Sequence, residues 1–118
     1  MIIEYKAKIK TIKKAKDSQD YIINFSYINA ENKVEDHFCF LKKENHNFSK
    51  LFNKISNIIK KYKGVSIRDK ERNGLLSICV YRVFQTDYIN EVHLFDNYEK
   101  IKKLKKEIDL QEQALINS

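Results

Sequence analysis

Apolar residues and lysines alternate from the start of the chain. Ile3, Tyr5, Ala7 and Ile9 recur at every second position, with Lys6, Lys8 and Lys10 between them. A half-buried β-strand has this period. Ile2, Tyr5, Ile9 and Ile12 would also share one face of a helix, but the strict alternation favours a strand over residues 2–13. Residues 21–28, YIINFSYI, set Tyr21, Ile23, Phe25 and Tyr27 against Ile22, Asn24, Ser26 and Ile28. Turn-forming NAEN (29–32) follows, and VEDHFCFL (34–41) returns as the partner strand. These three segments predict a β-meander.

The period then changes. Phe48, Leu51, Phe52, Ile55, Ile58, Ile59 and Tyr62 recur at three and four residues, which places them on one helix face. Asn47 is positioned to cap the N-terminus of this helix, and Gly64 suits the left-handed residue beyond its C-terminus. A second β region is expected in three pieces: VSI (65–67), LLSICVYRVF (75–84) and INEVHLF (89–95). The middle piece is apolar on both faces, as a central strand requires. The charged stretch 68–74 ends in Asn73-Gly74, a reversal signal. Asp96 with Glu99 matches a capping box, opening a helix whose buried stripe would be Ile101, Leu104, Ile108 and Leu115. The order βββ-α-βββ-α predicts an α+β fold, an antiparallel sheet carrying two amphipathic helices. An RNA-recognition motif would instead run βαββαβ with a glycine-containing aromatic strand, and neither feature occurs.

At 118 residues, with no proline and two glycines, the chain has no linker-like stretch, so 1–118 is expected to be one domain. No secretion leader and no apolar run long enough to span a bilayer are visible. Two isolated cysteines, Cys39 and Cys79, suit reduced thiols, and a cytoplasmic location is expected.

The net charge of +7 favours anionic partners. Lysines number 20 against 3 arginines, a bias typical of A+T-rich coding that tempers the signal. Location sharpens it. Residues 1–16 carry +5 and residues 41–63 carry +6, whereas 17–40 carry −4. The lysine-dense C-terminal helix is almost self-compensated, with Glu99–Lys103, Lys103–Glu107 and Lys105–Asp109 each four residues apart. The first strand has no such local partners. Glu35 and Asp36 on a neighbouring strand would neutralise it, or its lysines would guard a sheet edge.

Lys6, Lys8, Lys10, Lys13, Lys14 and Lys16 are therefore the candidate anion-binding residues, joined by Lys60, Lys61 and Lys63 at the end of the first helix. They lead to a small non-catalytic protein that engages nucleic acid or a nucleoprotein complex through phosphate contacts. The rival expectation is a protein–protein inhibitor or adaptor working by occlusion on an acidic surface, as small anti-defence and immunity proteins of phage and mobile elements do. Self-association through the C-terminal helix is a third expectation. Tyr5, Tyr21, Phe25, Tyr27, Phe38 and Phe40 would supply either core or a base-stacking surface, the tyrosines being the better candidates for exposure. His37, Cys39, Cys79 and His93 contain zinc-ligand types but lack paired spacing. His37, His46 or His93, the last with Glu91, would serve a nuclease as acid or base, although no catalytic motif accompanies them. No cofactor or metal is expected.

Overall fold

The computed structural model describes residues 1–68 and 75–94, together with Leu104, Lys106, Glu107, Ile108 and Leu110. Five strands and one helix follow in the order β1 (Ile2–Lys14), β2 (Tyr21–Ile28), β3 (Val34–Leu41), α1 (Phe48–Lys61), β4 (Leu76–Val83) and β5 (Thr86–Leu94). The strands close into a barrel, β1-β2-β3-β5-β4, rather than an open sheet. β1 makes closure possible. Its first half, Ile2–Ala7, pairs with β4 and its second half, Ala7–Lys14, with β2; Ala7 pairs with both, and a bulge between Ile9 and Thr11 falls within the β2 pairing. An extra residue there bends the strand, so that one long element serves two neighbours. All pairings are antiparallel except β3–β5, which is parallel and rests on the single pair Phe40–Tyr88.

Side-chain alternation explains why the barrel fills. Ala7 and Ile9, Ile23 and Phe25, Cys39 and Leu41, Leu76, Ile78 and Val80, and Ile89 and Val92 form one buried cluster. Leu51 and Ile55 of α1 complete it. Around Tyr21, the rings of Phe48 and Phe52 lie 5.7 and 4.9 Å away, fixing the helix at the Tyr21 end of β2. β4 lies between β1 and β5 and is buried on both faces from Leu76 to Val80, as its continuous apolar run predicts.

Three expectations are corrected. Residues 65–67 form no strand. β1 already has a neighbour on each side and offers no edge for another, so buried Val65 instead closes a turn, its N–H donating to the Tyr62 carbonyl at 3.1 Å. Asn47 does not cap α1 with its side chain. Its amide meets His46 Nε2 at 3.3 Å, while its backbone carbonyl takes the first helical bond from Leu51. Near the C-terminus, Leu104 and Ile108 are helical as expected but more than half exposed. Leu51 and Ile55 of α1 already complete the interior cluster, so the barrel interior has no place for a second buried stripe. Residues 69–74 of the expected turn at 68–74, the Asp96–Glu99 box, Ile101 and Leu115 lie outside the described residues.

Gly64 does occupy the left-handed region, with φ +79°, and a Cβ there would meet nothing within 4 Å. Only backbone strain therefore opposes a side chain at this position. Gly64→Ala is expected to lower stability by about 1 kcal/mol, read by urea unfolding with an unchanged m-value. A loss of several kcal/mol would mean that something besides conformation is at stake.

Candidate functional site

A polar cluster occupies the barrel end opposite α1. Asp87 and Arg82 are direct cross-strand partners beside the tight β4–β5 hairpin, and both point inward. The Asp87 side chain is 2% exposed. Its Oδ1 accepts from Arg82 Nε at 2.6 Å, and its Oδ2 accepts from Arg82 Nη2 at 2.9 Å. His37 Nε2 lies 2.7 Å from the same Oδ2, which requires the proton on that nitrogen. Arg82 Nη2 also donates to the Tyr5 hydroxyl at 3.0 Å. Four strands thus meet on one carboxylate. The Arg82 fork, with His37 adding to it, holds the Asp87 carboxyl below its ordinary range despite burial. Burial first, and then the Asp87 charge, push the Tyr5 phenol up.

Tyr27 sits beside this cluster, 4.8 Å from Tyr5 between ring centres. It donates to Glu35 Oε2 at 2.5 Å, which pushes its phenol up to about 12 and lowers the Glu35 carboxyl. Tyr5 and Tyr27, the better candidates for exposure among the aromatics, both pack against the buried cluster and are tethered by their hydroxyls, Tyr5 to the inward network and Tyr27 to exposed Glu35 at the surface. The sequence carries little warning of the Arg82–Asp87 pair. Five residues apart across a hairpin, they form no recognised motif, and only the inward phase of β5 marks Asp87.

The nine candidate lysines separate into two kinds. Lys8 donates to the Val65 carbonyl, and Lys10 forms an ion pair with Asp36 at 2.7 Å. Asp36 also accepts from Ser26 Oγ at 2.7 Å, and these two donors lower its carboxyl. Neutralisation from a neighbouring strand thus operates for Lys10, through Asp36 but not Glu35. Lys6 stands opposite Ser77 of β4. Lys63 shares a cleft of about 380 Å³ with Lys8 and Lys10, between β1 and the segment after α1. Lys60 and Lys61 lie in the last turn of α1, where cations complement the helix dipole, and Lys61 rests 5.4 Å from the Tyr62 ring centre. Lys13, Lys14 and Lys16 follow the β1 bulge, are exposed, and line no part of that cleft.

The outer face of the barrel holds what the sequence reading underrated. Pairing registers link Lys13 to Ile22, Ile22 to Phe40, Phe40 to Tyr88, and Tyr88 to Tyr81 in one outward row. Phe38, two residues before Phe40, is 49% exposed and packs edge-to-face on it at 5.7 Å. Lys42 places its ammonium 4.7 Å from the Tyr88 ring centre. A cation-edged aromatic track thus crosses β3 and β5. The signal was present in VEDHFCFL, where inward His37, Cys39 and Leu41 force Phe38 and Phe40 outward.

His37 is engaged with Asp87, while His93 lies 3.3 Å from Glu91, as its position two residues away allows. Cys39 is buried in the interior cluster, where desolvation raises its thiol to about 12. Cys79 lies on the opposite face of its strand from Ile78 and Val80, paired with Glu91. Among the described residues, no three His, Cys, Asp or Glu side chains converge as a metal site. No helix among them is long and apolar enough to cross a membrane.

Fold and surface together define a small five-stranded barrel, mixed α+β in class, with an inward polar end and a cation-edged aromatic outer face. No protein-family model matches the chain, and no curated protein or solved structure does so either.

Proposed function

We propose that this protein is a non-catalytic module that binds single-stranded nucleic acid, alone or within a nucleoprotein complex, on the outer face of β1, β2, β3 and β5. The observation that carries the reading is the row from Lys13 through Ile22 and Phe40 to Tyr88, with exposed Phe38 beside it. Aromatic faces accept any base, and adjacent lysines accept the phosphates. A strand order in which β1 pairs with both β2 and β4, with a helix between β3 and β4, is that of the oligonucleotide/oligosaccharide-binding barrels. Those barrels use the β2–β3 face for ligand. Topology supports the function only together with the side chains on that face. Two free, buried thiols suit a reducing compartment, and a cytoplasmic setting belongs to the same proposal.

Phe38→Ala tests the stacking part, because a half-exposed ring contributes little to the core. Base–aromatic stacking is worth about 1–3 kcal/mol, so affinity for a short thymidine strand is expected to fall roughly tenfold. Fluorescence anisotropy measures this, with thermal unfolding as the control. Unchanged affinity, or equally tight binding of a duplex of the same length, contradicts the assignment.

One observation favours docking on a protein instead. Phe84, at φ +57°, is 97% exposed at the tip of the β4–β5 hairpin, with Val83 and Tyr81 of β4 also exposed, as is Ile2 of β1 opposite Tyr81. Such a knuckle suits insertion into a partner's pocket. A partner captured from extract and retained after nuclease treatment decides for that reading.

A further inference from the structure

The β3–β5 seam contains a second feature. Beyond the single Phe40–Tyr88 pair, β3 runs into the loop before α1, and a cleft of about 290 Å³ opens between that loop and β5. Phe40, Tyr88 and Ile89 give it apolar walls, and Lys42, Glu44 and Asn45 give it polar ones. Ligand sites begin near this size, so the cleft has room for one planar base rather than a whole nucleotide. Because it shares Phe40 and Tyr88 with the outer aromatic row, a strand lying on that row passes its rim.

We infer that this cleft takes a single guanine base from a bound strand and gives the protein a sequence preference; the inference rests on the nucleic-acid reading above. Phe40 and Tyr88 offer ring faces or edges for stacking. The exposed Glu44 carboxylate is an acceptor only, so it matches adjacent N–H donors. Guanine presents two such donors on its Watson–Crick edge, N1–H and the N2 amino group. Asn45 supplies the complementary donor. Its Oδ1 is occupied by the Asn47 N–H at 2.8 Å, which orients the amide and leaves Nδ2 for the guanine O6. Lys42, whose ammonium lies 4.7 Å from the Tyr88 ring centre, lines the same cleft and supplies a cation for the strand's phosphate. Thymine and uracil turn carbonyl oxygens toward the same carboxylate and are repelled. Cytosine and adenine each bring one amino group but no second adjacent donor.

The test compares a labelled strand of about twelve thymidines with the same strand carrying one central guanine, by anisotropy at moderate salt. The guanine is expected to tighten binding about five- to tenfold, in the range of one bidentate base contact. Glu44→Gln is expected to abolish that gain while leaving the all-thymidine strand within about twofold of the parent value. Glu44 is exposed, so folding is not at issue. Equal binding of the two strands, or a guanine preference that survives Glu44→Gln, overturns the inference and leaves the nucleic-acid reading standing. If neither strand binds, that reading falls and the inference falls with it.

Discussion

Asp87→Asn is expected to destabilise the barrel by about 2–3 kcal/mol at neutral pH, lowering the unfolding midpoint by roughly 10 °C. Removing one partner from a buried charged pair costs about 3–5 kcal/mol when the remaining charge is trapped without water. Here Arg82 and His37 keep 32% of their side-chain surface exposed and regain some hydration, which places the effect below that range. The substitution preserves shape but removes the charge that receives the Arg82 fork and the His37 ring. It thereby loosens four strands at once. The pH dependence identifies the cause. The Asp87 carboxyl is held below its unfolded value, so its contribution is fully present above the ordinary carboxylate range. That contribution fades as pH falls through the folded-state value. The parent protein and Asp87→Asn should therefore differ most near neutrality and converge in acid. A difference that stays constant with pH, or one within about 0.5 kcal/mol at pH 7, would show that the network is incidental.

Reversing the three lysines past the bulge, with Lys13, Lys14 and Lys16 all changed to glutamate, is expected to weaken single-strand binding about a hundredfold at low salt. The slope of log affinity against log salt should also become shallower by about 2, since each phosphate contact on a single strand contributes about 0.7. These residues are exposed and are not members of the buried cluster, so the unfolding midpoint should move little. Reversing Lys8 and Lys10 is a different experiment. Lys8 holds the Val65 carbonyl and Lys10 holds Asp36, so glutamates there disturb the fold as well as the charge. An unchanged salt slope in the triple variant would remove these lysines from the interface.

Most strand boundaries could be read from alternation alone. The segments 21–28 and 34–41 coincide with β2 and β3, and 2–13 differs from β1 by one residue. Helix α1 was visible because its apolar residues keep a three-four period for four turns. Closure was not visible. β1 is long enough to pair with β4 over Ile2–Ala7 and with β2 over Ala7–Lys14, and the bulge at Ile9–Thr11 within the second pairing leaves no mark in KIKT beyond ordinary residues. The strand expected at 65–67 and the buried stripe expected to include Leu104 and Ile108 rested on local apolar patterns, which carry no information about partners.

The lysine-rich opening, EYKAKIKTIKKAK, was correctly singled out as an outward strand face, but its residues proved unequal. Alternation determines which side chains share a face, since each residue turns the next by half a revolution. It says nothing of what stands opposite. Asp36 meets Lys10 only because β2 lies between β1 and β3, with Ser26 opposite both Lys8 and Asp36. The sequence by itself determined most of the elements, the alternating faces within the unbulged strand segments and the basic character of β1, because these follow from local periodicity. Tertiary structure alone decided which lysines are engaged and that Arg82, Asp87, His37 and Tyr5 converge. Those outcomes depend on contacts between residues as much as eighty positions apart, fixed only when the barrel closes.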